Sequence, residues 1–391
     1  MLLPLNGIAT ATFGFGPAEP HQVLRLRAPT SRPQDSADVA LAHRADDLDA
    51  ATSSGFARAF VVSDDADTLS HPNRFVHVIH VPSKFEYLAD GDILGFHPDS
   101  KRFRTLYRRS SAHNSFLVTE RCNHYCLMCS QPPRDVDDSW ILREIRDALP
   151  LVDTRSHSLG FNGGEPLLDW RDFMAVLSDC RDLLPQTAIH VLSNGRAFAS
   201  TEVVAGWAGI QHPNLTMGIP IYSAVDTVHD YVVQAKGAFG ETVLGILKLK
   251  NSGQRVEVRV VLHAITAPRI VATCQWLARN LPFLDHVALM GLENTGFAKA
   301  NEKALWIDPV DYQDLLAEAV DWLIAAKLRV SVYNLQRCIL ARSVWPYAAQ
   351  SISDWKNGYV ETCNHCIEKP RCTGFFTSGR PRYSRGISPI L

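Results

Sequence analysis

Seven of the nine cysteines fall into two groups. Cys122, Cys126 and Cys129 stand in TERCNHYCLMCSQPP with the spacing Cys-x3-Cys-x2-Cys. A loop that short can turn three thiolates toward one point. A structural zinc site wants four closed ligands, and no fourth cysteine lies nearby, although His124 sits inside the loop. Three thiolates suit a [4Fe–4S] cluster with one iron left open, because such clusters are held by cysteine thiolates. The second group is Cys338, Cys363, Cys366 and Cys372, the last three in ETCNHCIEKPRCTGFF. Four thiolates there would close a second [4Fe–4S] cluster, with a four-cysteine zinc site as the rival. Cys180 and Cys274 fall within helix patterns and read as inert buried thiols.

The chain has 391 residues, enough for two or three domains at ~150 residues each. Its 39 basic and 41 acidic side chains nearly cancel. That balance argues against a bulk electrostatic grip on nucleic acid or an anionic membrane. No long apolar run suggests a membrane span. The first residues lack a basic region and are broken by Pro4, Gly7 and Gly14, so they do not read as a signal peptide. The expected compartment is the cytoplasm, where clustered thiols bind metal or do redox work.

Residues 1–110 read as a small β-rich domain with a loop-rich segment at about 29–55. Residues 111–327 alternate strand and helix patterns. Strands are expected at 115–119, 157–161, 188–193, 215–223, 256–263 and 286–292, with helices between them. Apolar strands joined by helices predict an α/β fold with a covered parallel sheet. Six such units are too few for an eight-strand barrel, so a partial (βα)6 barrel is expected, with its chemistry at the C-terminal strand ends. Residues 328–391 carry one more strand pattern, LRVSVY, and then the loop-rich cysteine region.

CNHYCLMC after the first strand resembles the signature of radical S-adenosylmethionine (SAM) enzymes, with Met128 where that family usually has an aromatic. The second strand ends in GFNGGEP, similar to the family's GGE motif. The resemblance implies that Gly163, Gly164 and Glu165 hold the SAM amino group. It also implies that Ser193 and Asn194 of the SNG turn face the ribose. Pro220 occupies the family's usual serine place on strand four, which leaves Ser223 as the candidate there. Arg259 is the candidate partner of the SAM carboxylate, since Arg matches carboxylates bidentately. The cysteine tail resembles the auxiliary-cluster regions of SPASM and Twitch type. Its Cys338 is either a fourth ligand or a catalytic hydrogen-atom donor. Glu293, Tyr222 and His263, with Asn162, sit at strand ends where substrate would lie.

The β-rich front, the two cysteine groups, ALMGLENTGFAKAN and the ending RPRYSRGISPIL together resemble the HxsC family of His-Xaa-Ser system maturases. That resemblance implies a ribosomally made peptide with His-Xaa-Ser repeats as substrate, a second radical SAM maturase as partner, and an external flavodoxin- or ferredoxin-type electron donor. The implied chemistry is reductive cleavage of SAM and hydrogen-atom abstraction from the peptide. Two alternatives stand beside it: a radical SAM enzyme acting on RNA, and a non-catalytic iron–sulfur scaffold. The basic stretch Lys101–Arg109 is either a solvated face or a dock for an acidic leader peptide.

Overall fold

The computed structural model describes residues 4–15, 21–64, 74–350, 357–376 and 382–391. Two sheets dominate. The first has eight strands: β1 (Asn6–Ile8), β2 (Ala11–Phe13), β3 (Gln22–Arg27), β4 (Asp38–Ala42), β5 (Arg58–Val62), β6 (His77–Val81), β7 (Ile93–His97) and β8 (Arg102–Tyr107). Their order is β1-β8-β7-β3-β4-β5-β6-β2. The run β3-β4-β5-β6 is parallel, with antiparallel neighbours on both sides.

The expected loop at 29–55 is therefore replaced in part by regular structure. DVALA forms β4, a fully buried central strand, and helix α1 (Ala45–Ser53) follows it. Leu48 and Ala51 lie on one face of α1 and anchor it under the sheet. The abundant Ala and Asp hid this helix, because small residues give a weak apolar period.

The second sheet has seven strands: β9 (Asn114–Leu117), β10 (Ser158–Asn162), β11 (Ala188–Leu192), β12 (Leu215–Pro220), β13 (Arg255–Leu262), β14 (His286–Gly291) and β15 (Val330–Tyr333). They pair in strict sequence order, and every pairing is parallel. LRVSVY thus supplies a seventh strand of this sheet where six were expected. Right-handed crossovers in sequential order place all connecting helices on one face. These are α2 (Trp140–Ala148), α3 (Trp170–Leu183), α4 (Thr201–Ile210), α5 (Asp226–Val233), α6 (Ala238–Asn251) and α7 (Ile270–Asn280). Short α8 (Gly296–Ala300) and α9 (Glu302–Leu305) follow β14, and α10 (Gln313–Ala325) leads into β15.

The strands alternate with period two, as a sheet with two unlike faces must. Leu159, Phe161, Ile189, Val191, Val256, Val258, Val260, Val287 and Leu289 are buried in the main core. On the other face Gly160, His190, Glu257 and Arg259 line a cavity. Ile93, Leu106 and Tyr107 of the first sheet join the same core. Helix α2 packs against β3, and its Glu144 is wholly buried there.

Candidate functional site

All seven strands of the second sheet are parallel, so the segments that follow them gather along one edge. The Cys122–Cys129 loop follows β9, the Gly163–Glu165 turn follows β10, and Ser193–Asn194 follows β11. Tyr222 and Ser223 follow β12, His263 follows β13, Glu293 follows β14, and Cys338 follows β15. The topology therefore brings every candidate residue before the last cysteine loop to one rim, except Arg259, which lies within β13.

The cysteine loop is pinned from several sides. Tyr125 N–H donates to the Val233 carbonyl (3.2 Å) and Leu127 N–H to that of Val232 (2.9 Å), at the end of α5. Phe297 N–H donates to the Cys129 carbonyl (2.8 Å), and Asn301 Nδ2 to that of Leu127 (2.8 Å). Burial pushes the Cys122 thiol up to about 11, and it raises Cys126 and Cys129 as well. Bare thiols there stay protonated, and a bound cation would be needed to hold them as thiolates. Among the described residues, no three cysteine sulfurs lie within 4.8 Å of one another. Sulfurs around a tetrahedral zinc sit about 3.8 Å apart, from a Zn–S bond of about 2.3 Å.

The Gly163–Glu165 turn lies directly on this loop. Gly164 N–H donates to the Thr119 carbonyl and Glu165 N–H to that of Arg121, each at 2.8 Å. A Cβ on Gly164 would stand 1.9 Å from the Arg121 oxygen. Gly163 has φ +143°, and its Cβ would stand 2.4 Å from the Thr119 oxygen. The two glycines thus serve the approach of one stretch of protein backbone to another.

Glu165 is 1% exposed. Its carboxylate accepts from Leu167 N–H (2.9 Å), Ser193 Oγ (2.8 Å) and Asn194 N–H (2.7 Å). Burial raises its pKa against these bonds. The side chain fastens strand ends two and three together. Ser193 Oγ also accepts from Gly195 N–H (3.0 Å). Asn194 Nδ2 donates to Asn123 Oδ1 (2.6 Å), tying the SNG turn to the cysteine loop. Ser223 is buried, and its Oγ accepts from Val225 N–H (3.0 Å).

Below the rim, the open face of the sheet and residues of the first sheet enclose a cavity of about 560 Å³. Asn162 and Glu293 line it, as do Arg259, His190, Glu257 and Tyr333. Tyr222 and His263 do not. Tyr222 packs with Met128 and Cys126 in a small apolar cluster, and its ring stacks on His229 at 5.7 Å. His263 is fully buried, and burial pushes its imidazole down to about 4.

Sequence reasoning missed the polar stripe on the cavity wall. Glu257 Oε2 lies 2.6 Å from His286 Nδ1, while its Oε1 lies 3.4 Å from His190 Nε2 and 3.3 Å from Arg259 Nε. His286 Nε2 reaches Ser331 Oγ at 2.9 Å. Burial works to raise the Glu257 carboxyl, but His190, His286 and Arg259 outweigh it and hold it well below the usual range. The signal was present as polar residues at alternate strand positions: His190, then Glu257 and Arg259, then Ser331 and Tyr333.

The second cysteine group also gathers. Cys338, Cys363, Cys366 and Cys372 line one small cavity with Tyr359 and Ile390. An Arg337–Glu368 ion pair (2.7 Å) holds the segment carrying Cys338 against the later loop. The chain end closes over it: Ile367 N–H donates to the Ile390 carbonyl (2.9 Å), and Ile390 N–H reaches Cys366 Sγ (3.4 Å). Of the closing RPRYSRGISPIL, Arg380 and Pro381 lie outside the described residues. Cys180 and Cys274 are fully buried, each raised to about 12 by burial. The basic stretch is divided: Arg104 pairs with Glu144, and Arg109 pairs with Asp90 (3.0 Å) and Asp153 (3.1 Å).

No known family model matches this chain, and no curated protein matches it. No described helix is long and apolar enough to cross a membrane. Solved structures of similar shape include SuiB of Streptococcus suis bound to its precursor peptide SuiA, at 15% identity and a TM-score of 0.45. That match covers 57% of this chain and 48% of SuiB, so the chain spans about half of SuiB's length. Another is anSMEcpe with bound AdoMet and the Cp18Cys peptide, at 15% identity and a TM-score of 0.44, covering 56% of this chain and 62% of that one. A third is coproporphyrinogen III oxidase (HemN) from Escherichia coli, described as a radical SAM enzyme, at 13% identity and a TM-score of 0.43, covering 54% and 52%.

Proposed function

We propose that this chain is a radical SAM enzyme that modifies a ribosomally made peptide of the His-Xaa-Ser repeat type. One observation carries the reading. A loop with three cysteines follows the first of seven sequential parallel strands, and a Gly-Gly-Glu turn from the second strand lies against that loop's backbone. Three thiolates with no fourth cysteine nearby favour an iron–sulfur cluster with an open iron over a closed zinc site in the first group.

Cys122, Cys126 and Cys129 would hold the first cluster, and Cys338, Cys363, Cys366 and Cys372 a second. A cluster held there would supply the electron for reductive cleavage of SAM, the chemistry needed to take a hydrogen atom from the peptide. The protein's own part is orientation and exclusion of water. The backbone at Gly163–Gly164 offers carbonyls to the SAM ammonium. Arg259, with Glu257 steadying it, offers a guanidinium to a carboxylate from within the cavity. Ser193, Asn194 and Ser223 set the rim on which the nucleoside part would rest. The cavity has room for a peptide side chain beside it. In this reading residues 1–110 shape the peptide entrance, 111–327 carry the radical chemistry and 328–391 carry the auxiliary cluster. A flavodoxin or ferredoxin supplies the electron in the cytoplasm, and a second maturase acts on the same peptide.

The test is an anaerobic reaction of the iron-loaded protein with SAM, dithionite and a synthetic His-Xaa-Ser repeat peptide. Deoxyadenosine together with a peptide altered in mass or stereochemistry supports the reading. Deoxyadenosine with an unaltered peptide would overturn the substrate assignment and keep the enzyme class.

A further inference from the structure

His21, His97 and Glu144 form a cluster away from both cysteine groups. His21 immediately precedes β3, His97 ends β7, and Glu144 projects from α2. One ligand atom from each lies within 4.8 Å of the other two. His21 Nε2 is 2.6 Å from Glu144 Oε1, and neither of these buried atoms has another partner. Two ligand atoms therefore converge on one point, where a cation could be shared between them.

The surroundings fit a built site. The Glu144 side chain is fully buried. Arg104 binds its other oxygen, Oε2, which leaves Oε1 for a ligand. A ligating carboxylate is commonly steadied in this way by a partner outside the coordination sphere. The His21 and His97 rings stack at 4.0 Å, and Trp140 closes on both edge-on at 5.4 and 4.7 Å. Gly95 forms the floor: a Cβ there would stand 1.8 Å from Glu144 Oε1 and 3.2 Å from His21 Nε2.

We infer that His21, His97 and Glu144 bind one zinc ion that ties the first sheet to helix α2. Two imidazoles and one carboxylate are a known zinc donor set with a position left for water. Ligand atoms around tetrahedral zinc sit about 3.3 Å apart, given bonds of about 2.0–2.1 Å. The 2.6 Å contact, with all three atoms within 4.8 Å of one another, is compatible with that spacing after small side-chain shifts. The ion joins two histidines of the N-terminal sheet to a helix of the parallel sheet, so its binding stabilises their packing. The competing account is a metal-free ion-pair chain of His21, Glu144 and Arg104.

The experiment uses the full, iron-loaded chain equilibrated with Zn²⁺ buffered near micromolar free concentration. Zinc per chain is counted, and the zinc absorption edge reports its neighbours. The inference predicts one zinc with a nitrogen and oxygen shell. It predicts at least about a tenfold loss of affinity in His97→Gln and in His21→Gln, by analogy with the loss on removing even an outer partner. A zinc shell made of sulfur only, no retained zinc, or full retention by both folded variants overturns it. Should both variants fail to fold, the wild-type chain still decides. Zinc must shield His21 and His97 from diethyl pyrocarbonate, and equal modification with and without zinc overturns the site.

Discussion

Gly164 offers the sharpest test of how the site is assembled. In Gly164→Ala the new Cβ would stand 1.9 Å from the Arg121 carbonyl oxygen and 2.5 Å from its carbon. Ordinary contact needs about 3.5 Å, so the turn and the loop must separate by roughly 1.5 Å. Arg121 cannot yield easily. Its Nε donates to Asp138 (2.9 Å), its Nη2 pairs with Asp169, and its carbonyl accepts from Glu165 N–H. Overpacking of this kind costs about 1–3 kcal/mol, and losing one backbone hydrogen bond adds about 1 kcal/mol. The expected sum, about 2–4 kcal/mol, corresponds to a fall in Tm of roughly 2–5 °C for a chain of 391 residues unfolding as one unit. Gly209→Ala is the control: it sits in α4, and its Cβ would meet nothing within 4 Å. Losing that glycine stabilises the helix by up to about 1 kcal/mol. The assay is thermal unfolding with iron counted on the same samples. A Gly164→Ala protein with wild-type Tm and full iron at Cys122, Cys126 and Cys129 would refute the packing argument.

Other outcomes follow from single side chains. Glu165→Gln sets an amide N–H against the Asn194 N–H or the other donors, and a urea titration should show a loss of about 1–3 kcal/mol. His263 titrates near 4 in the folded protein, below its ordinary 6.5, because it is buried. The unfolded chain then binds the extra proton, so stability falls as pH drops from about 6.5 toward 4, by about 2 kcal/mol between pH 7 and 5. His263→Asn should flatten that slope in denaturation curves, and an unchanged slope would place the acid sensitivity elsewhere. Replacing both Cys363 and Cys366 by Ala should remove about four irons per chain and leave the first group loaded. Loss of zinc with no change in iron would instead assign the second group to zinc.

The strands of the second sheet were legible because each is a short, largely apolar run, and five of the seven are closed by Gly, Asn or Pro within two residues. Val256, Val258 and Val260 in β13 mark a buried face at period two. What the sequence hid is that the other face looks into a cavity. Glu257 reads as an ordinary strand polar residue until His286 of the neighbouring strand and His190, two strands away, are brought beside it. The cysteine spacing showed that three thiols would share one short loop, since eight residues leave them few places to go. The hydrogen bonds of Glu165 were not legible for a different reason: a motif names a residue but not its partners, and this carboxylate accepts from Leu167, Ser193 and Asn194. Helix α1 escaped notice because ADDLDAATS buries only Leu48 and Ala51.

The central claim is that the loop of Cys122, Cys126 and Cys129 supports reductive cleavage of SAM. The direct measurement is deoxyadenosine released anaerobically from SAM and dithionite by the iron-loaded chain, beside Cys126→Ala prepared identically. The account predicts deoxyadenosine from the wild type and none from the variant. An iron-loaded wild type that releases none, or a variant that releases as much, would contradict it.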